Sequence, residues 1–267
     1  MIVAPENDHV RLITQPAHAW ISGQIAAQWG ANGFLRPEPW SDLCFAAANH
    51  DAGWIPWELN PQLNAETGYP YDFRNIPIAD HFDIWEASPR RTALTSRYSA
   101  LLVSHHVAGL FRMHDFTEDP AVLRDKARVF IREQEHLQDG LKQSLISDGF
   151  YHRFMEAGDA VTHQRLTSVF DYLSLILCMG SVQDEIIGKV PHASGDIPVS
   201  IKKSSEDELT YLMDPWPFHS REVHVHCDAR ILTSRYSSQQ ALTDAIQQAG
   251  GITFHAKLTK NGFDKKI

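Results

Sequence analysis

The chain has 267 residues, 43% hydrophobic and 21% charged, enough to bury a sizeable core without staples. Its formal charge is −9, with no basic run before the terminal "KNGFDKKI", which argues against a nucleic-acid surface. The three cysteines, Cys44, Cys178 and Cys227, form no CxxC pair, which argues against a disulfide framework or a cysteine zinc site and fits a reduced, cytoplasmic protein.

The opening residues, "MIVAPENDHVRLITQP", lack the basic and apolar regions of a signal peptide. From Thr14 to Gly30 the pattern is helical: Thr14 can cap, Pro16 suits the first turn, and His18 extends the stripe Ile21, Ile25, Trp29. A second helix starts near Ser41, with the stripe Leu43, Ala47, His50, Trp54. Residues 55–80 are rich in proline and turn formers and read as a long irregular segment framed by Trp54, Trp57, Tyr69 and Tyr71. Those aromatic residues are equally suited to walling a pocket and to packing the loop.

Helices are expected from about His81 to Ala87, Thr92 to Met113 (stripe Tyr98, Leu101, Leu102, His105, Gly109) and over 119–147. The helix at 160–179 is apolar all round at "VFDYLSLILCM" and should lie centrally. Its apolar run, ending in "YLSLILCMG", is too short to span a bilayer. Beyond Gly188 short alternating runs dominate, at Pro198–Lys203, Glu208–Met213, Glu222–Cys227, Arg230–Ser234 and Ile252–Leu258, with one helix near Gln239–Ala249. The expected fold is mainly α: a helical bundle over 1–188 that carries a small antiparallel β-sheet appendage in a C-terminal unit, 189–267.

Histidine is abundant, at 15 residues, and some histidines fall at inward helical positions. His18 lies on the stripe of the first helix. His50 and Asp51 end the second, where two adjacent side chains, about 100° apart on a helix, can both reach one ion. Asp171 sits in an apolar helix, where an unpaired carboxylate costs several kcal/mol and a cation would remove that cost. Two imidazoles and two carboxylates suit Fe, Mn, Zn or Mg.

The order His … His-Asp … Asp, in "QPAHAWISGQIAAQW", "DLCFAAANHDAGW" and "TSVFDYLSLILC", resembles the HD-domain superfamily of metal-dependent phosphohydrolases over roughly residues 14–180. That resemblance implies an HD-like helical bundle and a first ion held by His18, His50, Asp51 and Asp171. His81 in "IADHFDIWEAS" and His105 in "SALLVSHHVAGL" extend it and would hold a second ion. The double histidine approaches that of the HD-GYP phosphodiesterases, although the chain continues "HHVAGLFRMHD" and lacks their GYP-type signature. The di-iron oxygenases of the myo-inositol oxygenase type share the same ligand order.

The implied function is hydrolysis of a small phosphorylated substrate, such as a nucleotide, by one or two divalent ions. Fe or Mn are the first candidates, with Zn, Mg or Ni as others. His106, about 100° round from His105, would protonate a leaving group or position substrate, and Arg97 is the best-placed arginine for its phosphate. The alternatives are a di-iron oxygenase and a non-enzymatic metal-dependent sensor. The acidic charge favours a small-molecule partner over nucleic acid or membrane, and leaves oligomerisation open. His114, His136, His152 and His163 read as surface residues, and His224 and His226 as one half-exposed strand face.

Overall fold

The computed structural model describes residues 1–180 and 184–260. The basic residues after Lys260 lie outside them. Two N-terminal strands, β1 (Ile2–Glu6) and β2 (His9–Ile13), form a hairpin through Asn7 and Asp8. Eight helices follow: α1 (Gln15–Gln28), α2 (Trp40–Asn49), α3 (Ile55–Leu59), α4 (Ile78–Thr92), α5 (Arg97–Met113), α6 (Ala121–Ile146), α7 (His152–Glu156) and α8 (Asp159–Met179). A short hairpin, β3 (Leu63–Asn64) and β4 (Tyr69–Pro70), interrupts the segment between α3 and α4. The chain closes with β5 (Asp184–Val190), β6 (Ile197–Lys203), β7 (Thr210–Asp214), β8 (Glu222–Leu232), α9 (Gln239–Gln248) and β9 (Gly251–Lys260).

The expectation of a mainly α bundle with a small antiparallel appendage is overturned. Apart from the β3–β4 hairpin, the strands form one seven-stranded sheet, in the order β1-β2-β8-β9-β7-β6-β5. It is mixed, because β7 runs parallel to β9. Its strands come from both ends of the chain, since β2 pairs with β8. The runs at 222–227 and 230–234 are parts of a single strand, whose residues alternate outward and inward from Glu222 to Arg230.

The inward residues of that sheet, among them Val223, Val225, Met213, Val199 and Phe254, share one apolar core with α1, α2, α5 and α8. Helix α8 packs against α1, α2 and α5 on one side and against β1 and β5 on another, which accounts for its apolar circumference. On the opposite face of the N-terminal hairpin, α9 closes a smaller cluster around Val10, Leu12, Leu232 and Leu242. Trp54, Trp57 and Tyr71 pack with Ile76, Ile84 and Trp85 in a third cluster, so these aromatic residues of the long segment serve packing. No helix among the described residues is long and apolar enough to cross a membrane.

Two glycines allow the close helix approaches. A Cβ on Gly23 of α1 would stand 2.7 Å from Ala48 Cβ of α2. A Cβ on Gly53 would overlap the Ile84 carbonyl oxygen of α4, and the Gly53 amide donates to Ser88 Oγ at 3.0 Å. His163, expected at the surface, is fully buried: one ring nitrogen contacts Tyr98 Oη and the other the Pro37 carbonyl, both at 2.8 Å.

Gly53→Ala should therefore destabilise by about 3 kcal/mol, as overpacking does. Gly140→Ala, in open space within α6, should instead gain about 0.5–1 kcal/mol. Urea denaturation separates the two, and equal effects would refute the close approach of Gly53 to α4. Burial also pushes the pKa of His163, and that of His81, down to about 4. Both stay neutral in the fold, whereas the unfolded chain protonates them below about 6.5. Their contribution is complete above pH 6.5 and is lost as pH falls towards 4, unfolding taking up about one proton per histidine. A flat stability profile between pH 6.5 and 4 would contradict this.

Candidate metal centre

Four helices bring five side chains to one buried point: His18 from α1, His50 and Asp51 from the end of α2, His106 from α5 and Asp171 from α8. The adjacent pair reaches it because the helix ends there. His50 is still helical (φ −59°, ψ −28°), whereas Asp51 turns away (φ −103°, ψ 21°). The following residues, Ala52–Trp54, make a single 3₁₀ turn against α4.

The three imidazoles share one arrangement. His18 Nδ1 lies 2.8 Å from Ser174 Oγ, which donates its own proton to the Asp171 carbonyl at 2.8 Å and so accepts from His18. His50 Nδ1 donates to the Ala47 carbonyl at 2.8 Å, and His106 Nδ1 lies 3.3 Å from Ser168 Oγ. Each Nε2 is thereby turned to the carboxylates. His18 Nε2 lies 2.8 Å from Asp51 Oδ2, His50 Nε2 lies 3.2 Å from Asp171 Oδ1 and 3.7 Å from Asp51 Oδ2, and His106 Nε2 lies 3.4 Å from Asp171 Oδ2. Anchored Nδ1 atoms that aim Nε2 at a common point are the arrangement by which proteins orient metal ligands.

The donor set also fits a cation on chemical grounds. Neither His50 Nε2 nor His106 Nε2 has a well-formed hydrogen bond, although both are buried. With Nδ1–H already donated, a neutral His50 turns a lone pair towards carboxylate oxygens, an arrangement that needs a positive charge between them. The side chains form two overlapping groups, His18–His50–Asp51 and His50–His106–Asp171, whose ligand atoms lie within 4.8 Å of one another; these groups can hold a metal ion.

The charges respond accordingly. Burial disfavours the His50 cation, but Asp51 and Asp171 outweigh burial and raise its pKa to about 9. Burial likewise opposes the two carboxylate charges, yet His50 and its neighbours hold Asp51 and Asp171 below the usual carboxylate range. His106 is shifted the other way, chiefly by burial, and stays neutral. Without a metal, a proton on His50 supplies part of the missing charge. Asp171, with 13% of its side chain exposed, is the most accessible member.

His81, His105 and Arg97 are placed elsewhere. His81 packs in the aromatic cluster, stacked on Trp85 at 4.6 Å and 3.2 Å from the Phe73 carbonyl through Nε2. His105 is half-buried on another face of α5, where burial, together with Lys142 and Arg112, pushes its pKa down to about 4. Arg97 joins α5 to the end of α6 through Asp148, at 2.6 Å, and Ser144. It lies about 13 Å along the helix axis from His106. The sequence reading missed the anchoring serines. Ser174 follows Asp171 by three residues, and Ser22, which donates to Ser174 Oγ at 2.8 Å, follows His18 by four. Both spacings return a side chain to the same helix face, which is the signal that could have found them.

The fold and centre define the chain as an α+β protein whose buried histidines and aspartates can hold a metal ion. Over residues 1–234 it matches the model of a family described as "Protein of unknown function (DUF3891)", and it belongs to that family. No curated protein and no solved structure matches it.

An ion entering the centre competes with the proton on His50. Mn²⁺ binding at pH 7.5 should release about one proton, and affinity should fall about tenfold for each pH unit below 9. Calorimetry in buffers of different ionisation enthalpy measures the release, and binding without it would remove His50 from the ligand set. Ser174→Ala should weaken binding by about 10–100-fold through the loosened His18 ring.

Proposed function

We propose that the chain is a metal-dependent hydrolase of the HD type that acts on a small phosphorylated substrate. The observation that carries this reading is the three anchored imidazoles turned towards two buried carboxylates, in the chain order His18 … His50-Asp51 … Asp171. His18, His50, Asp51, His106 and Asp171 would hold one divalent cation. Iron or manganese suits their nitrogen and oxygen donors. Such an ion supplies an acidified water and a positive charge for phosphoryl oxygens.

The chain's own residues do the rest. Asp51 and Asp171 hold negative charge in a buried site. Ser174 and Ser168 fix the His18 and His106 rings; Ser168 is exposed and Asp171 keeps 13% of its side chain exposed, so the α8 face that carries them is the most open side of the centre. That face is therefore where a substrate would enter. A single ion is favoured over two, because His81 and His105 lie outside both ligand groups.

Protein purified without chelator should carry about one equivalent of Fe or Mn and release phosphate from members of a phosphomonoester and phosphodiester panel. Asp51→Asn should cost about 100-fold in turnover, roughly 2.7 kcal/mol of transition-state stabilisation. Metal retained with no hydrolysis across the panel would sink the hydrolase reading, and a mixed-valent di-iron EPR signal would turn it towards oxygen chemistry.

A further inference from the structure

The outward face of β8 and β9 carries a second set of ligating side chains, none of them shared with the buried centre. Glu222, His224, His226, Asp228 and Arg230 point outward from β8, and Thr253, His255 and Lys257 from β9. His226 lies directly opposite His255 in the antiparallel register. The backbone of His226 turns away from β9: its N–H and C=O both bond the Gln24 side-chain amide of α1, at 3.1 and 2.7 Å. The two histidines therefore occupy a pair without mutual backbone hydrogen bonds, the kind in which opposed side chains stand closest.

Their ring centroids are 6.1 Å apart and the planes tilt by 37°. A zinc–nitrogen bond of about 2.0–2.1 Å puts each centroid about 3.2 Å from a shared ion, so two ligating rings have centroids about 5–6 Å apart. Small side-chain rotations close the difference. Asp228 is two residues along the same face from His226 and diagonal to His255, the neighbouring position from which a rotated side chain would supply a third ligand; in the present rotamers the ligand atoms of the three residues do not converge. The opposite side is closed to a cation, since Lys257 faces His224 there and His224 is held by Glu222 at 2.9 Å.

We propose that His226, His255 and Asp228 form a second divalent-cation site on the open sheet face. Two imidazoles and a carboxylate take a borderline ion such as Zn²⁺ or Cu²⁺. The ion would clip β8 to β9, and the site is independent of the buried centre in both residues and occupant.

Zn²⁺ titration by calorimetry, with the histidine ring resonances followed by NMR, tests it. Wild type should shift the His226 and His255 signals together and show a site that Asp171→Ala retains. His226→Ala and His255→Ala should each weaken that site by about tenfold or more while the buried centre still binds. All these positions are outward-facing, so the variants should keep the wild-type melting temperature in EDTA. Wild-type isotherms for both histidine variants, or loss of binding in His224→Ala alone, would overturn the assignment.

Discussion

Two carboxylates buried within reach of the same imidazoles set the terms for the rest of this fold. Asp51 and Asp171 come from different helices, and each alone would carry a desolvation cost of several kcal/mol. Each stays charged because cationic or polarised partners surround it. His50, whose pKa of about 9 keeps it protonated at neutral pH, faces both. That balance holds only if four helices keep their positions to within a hydrogen bond. The close contact of Gly23 with Ala48, the packing of Gly53 under α4 and the end of α2 at His50 all serve that condition. Replacing the proton by a divalent ion keeps the same balance with a larger charge, which is why the proton-bearing cluster already has the shape of a ligand set.

The helices were legible because amphipathic periodicity and capping residues mark them directly. The sheet was not, for three separate reasons. The N-terminal hairpin turns through Asn7-Asp8, a two-residue loop between two five-residue strands, but its partner β8 lies more than 200 residues away. A strand whose neighbour is so distant announces itself only locally. The "CDA" in β8 resembles a turn when read as composition, yet Asp228 merely takes an outward position in an unbroken alternation. The parallel pairing of β7 with β9 depends on how α9 returns the chain, which no local pattern encodes.

The centre was legible in four of its five side chains. His18, His50, Asp51 and Asp171 were readable because a polar residue on an apolar stripe, or inside an apolar helix, needs a partner. The choice between His105 and His106 was not readable from periodicity. Helix α5 is buried almost continuously from Tyr98 to Ala108, between α6 on one side and α2 and α8 on another. A helix buried on two faces has no single apolar phase, so the stripe through His105 does not tell which of the two adjacent histidines turns towards the cluster. His163 illustrates the converse: its pairing with Tyr98 and Pro37 satisfies both ring nitrogens, so its burial requires no ion.

The sheet has a direct part in the centre's geometry. Of the four ligand helices, α1 and α8 pack most closely on it, and they carry His18 and Asp171. Gln24 of α1 clasps the backbone of β8 about one and two-thirds turns beyond His18. At the far end of α8, Arg11 of β2 donates to the Cys178 carbonyl at 3.1 Å, and Lys203 of β6 to the Gly180 carbonyl at 3.1 Å. Carbonyls at a helix C-terminus lack partners within the helix and carry its negative end, so two cations donated from different strands both cap α8 and fix it on the sheet. Helices α2 and α5 then close over that platform with His50, Asp51 and His106. The strands that looked like an appendage are thus the floor against which two of the ligand helices are set, and the spacing between His18 and Asp171 is as much a property of the sheet as of the bundle.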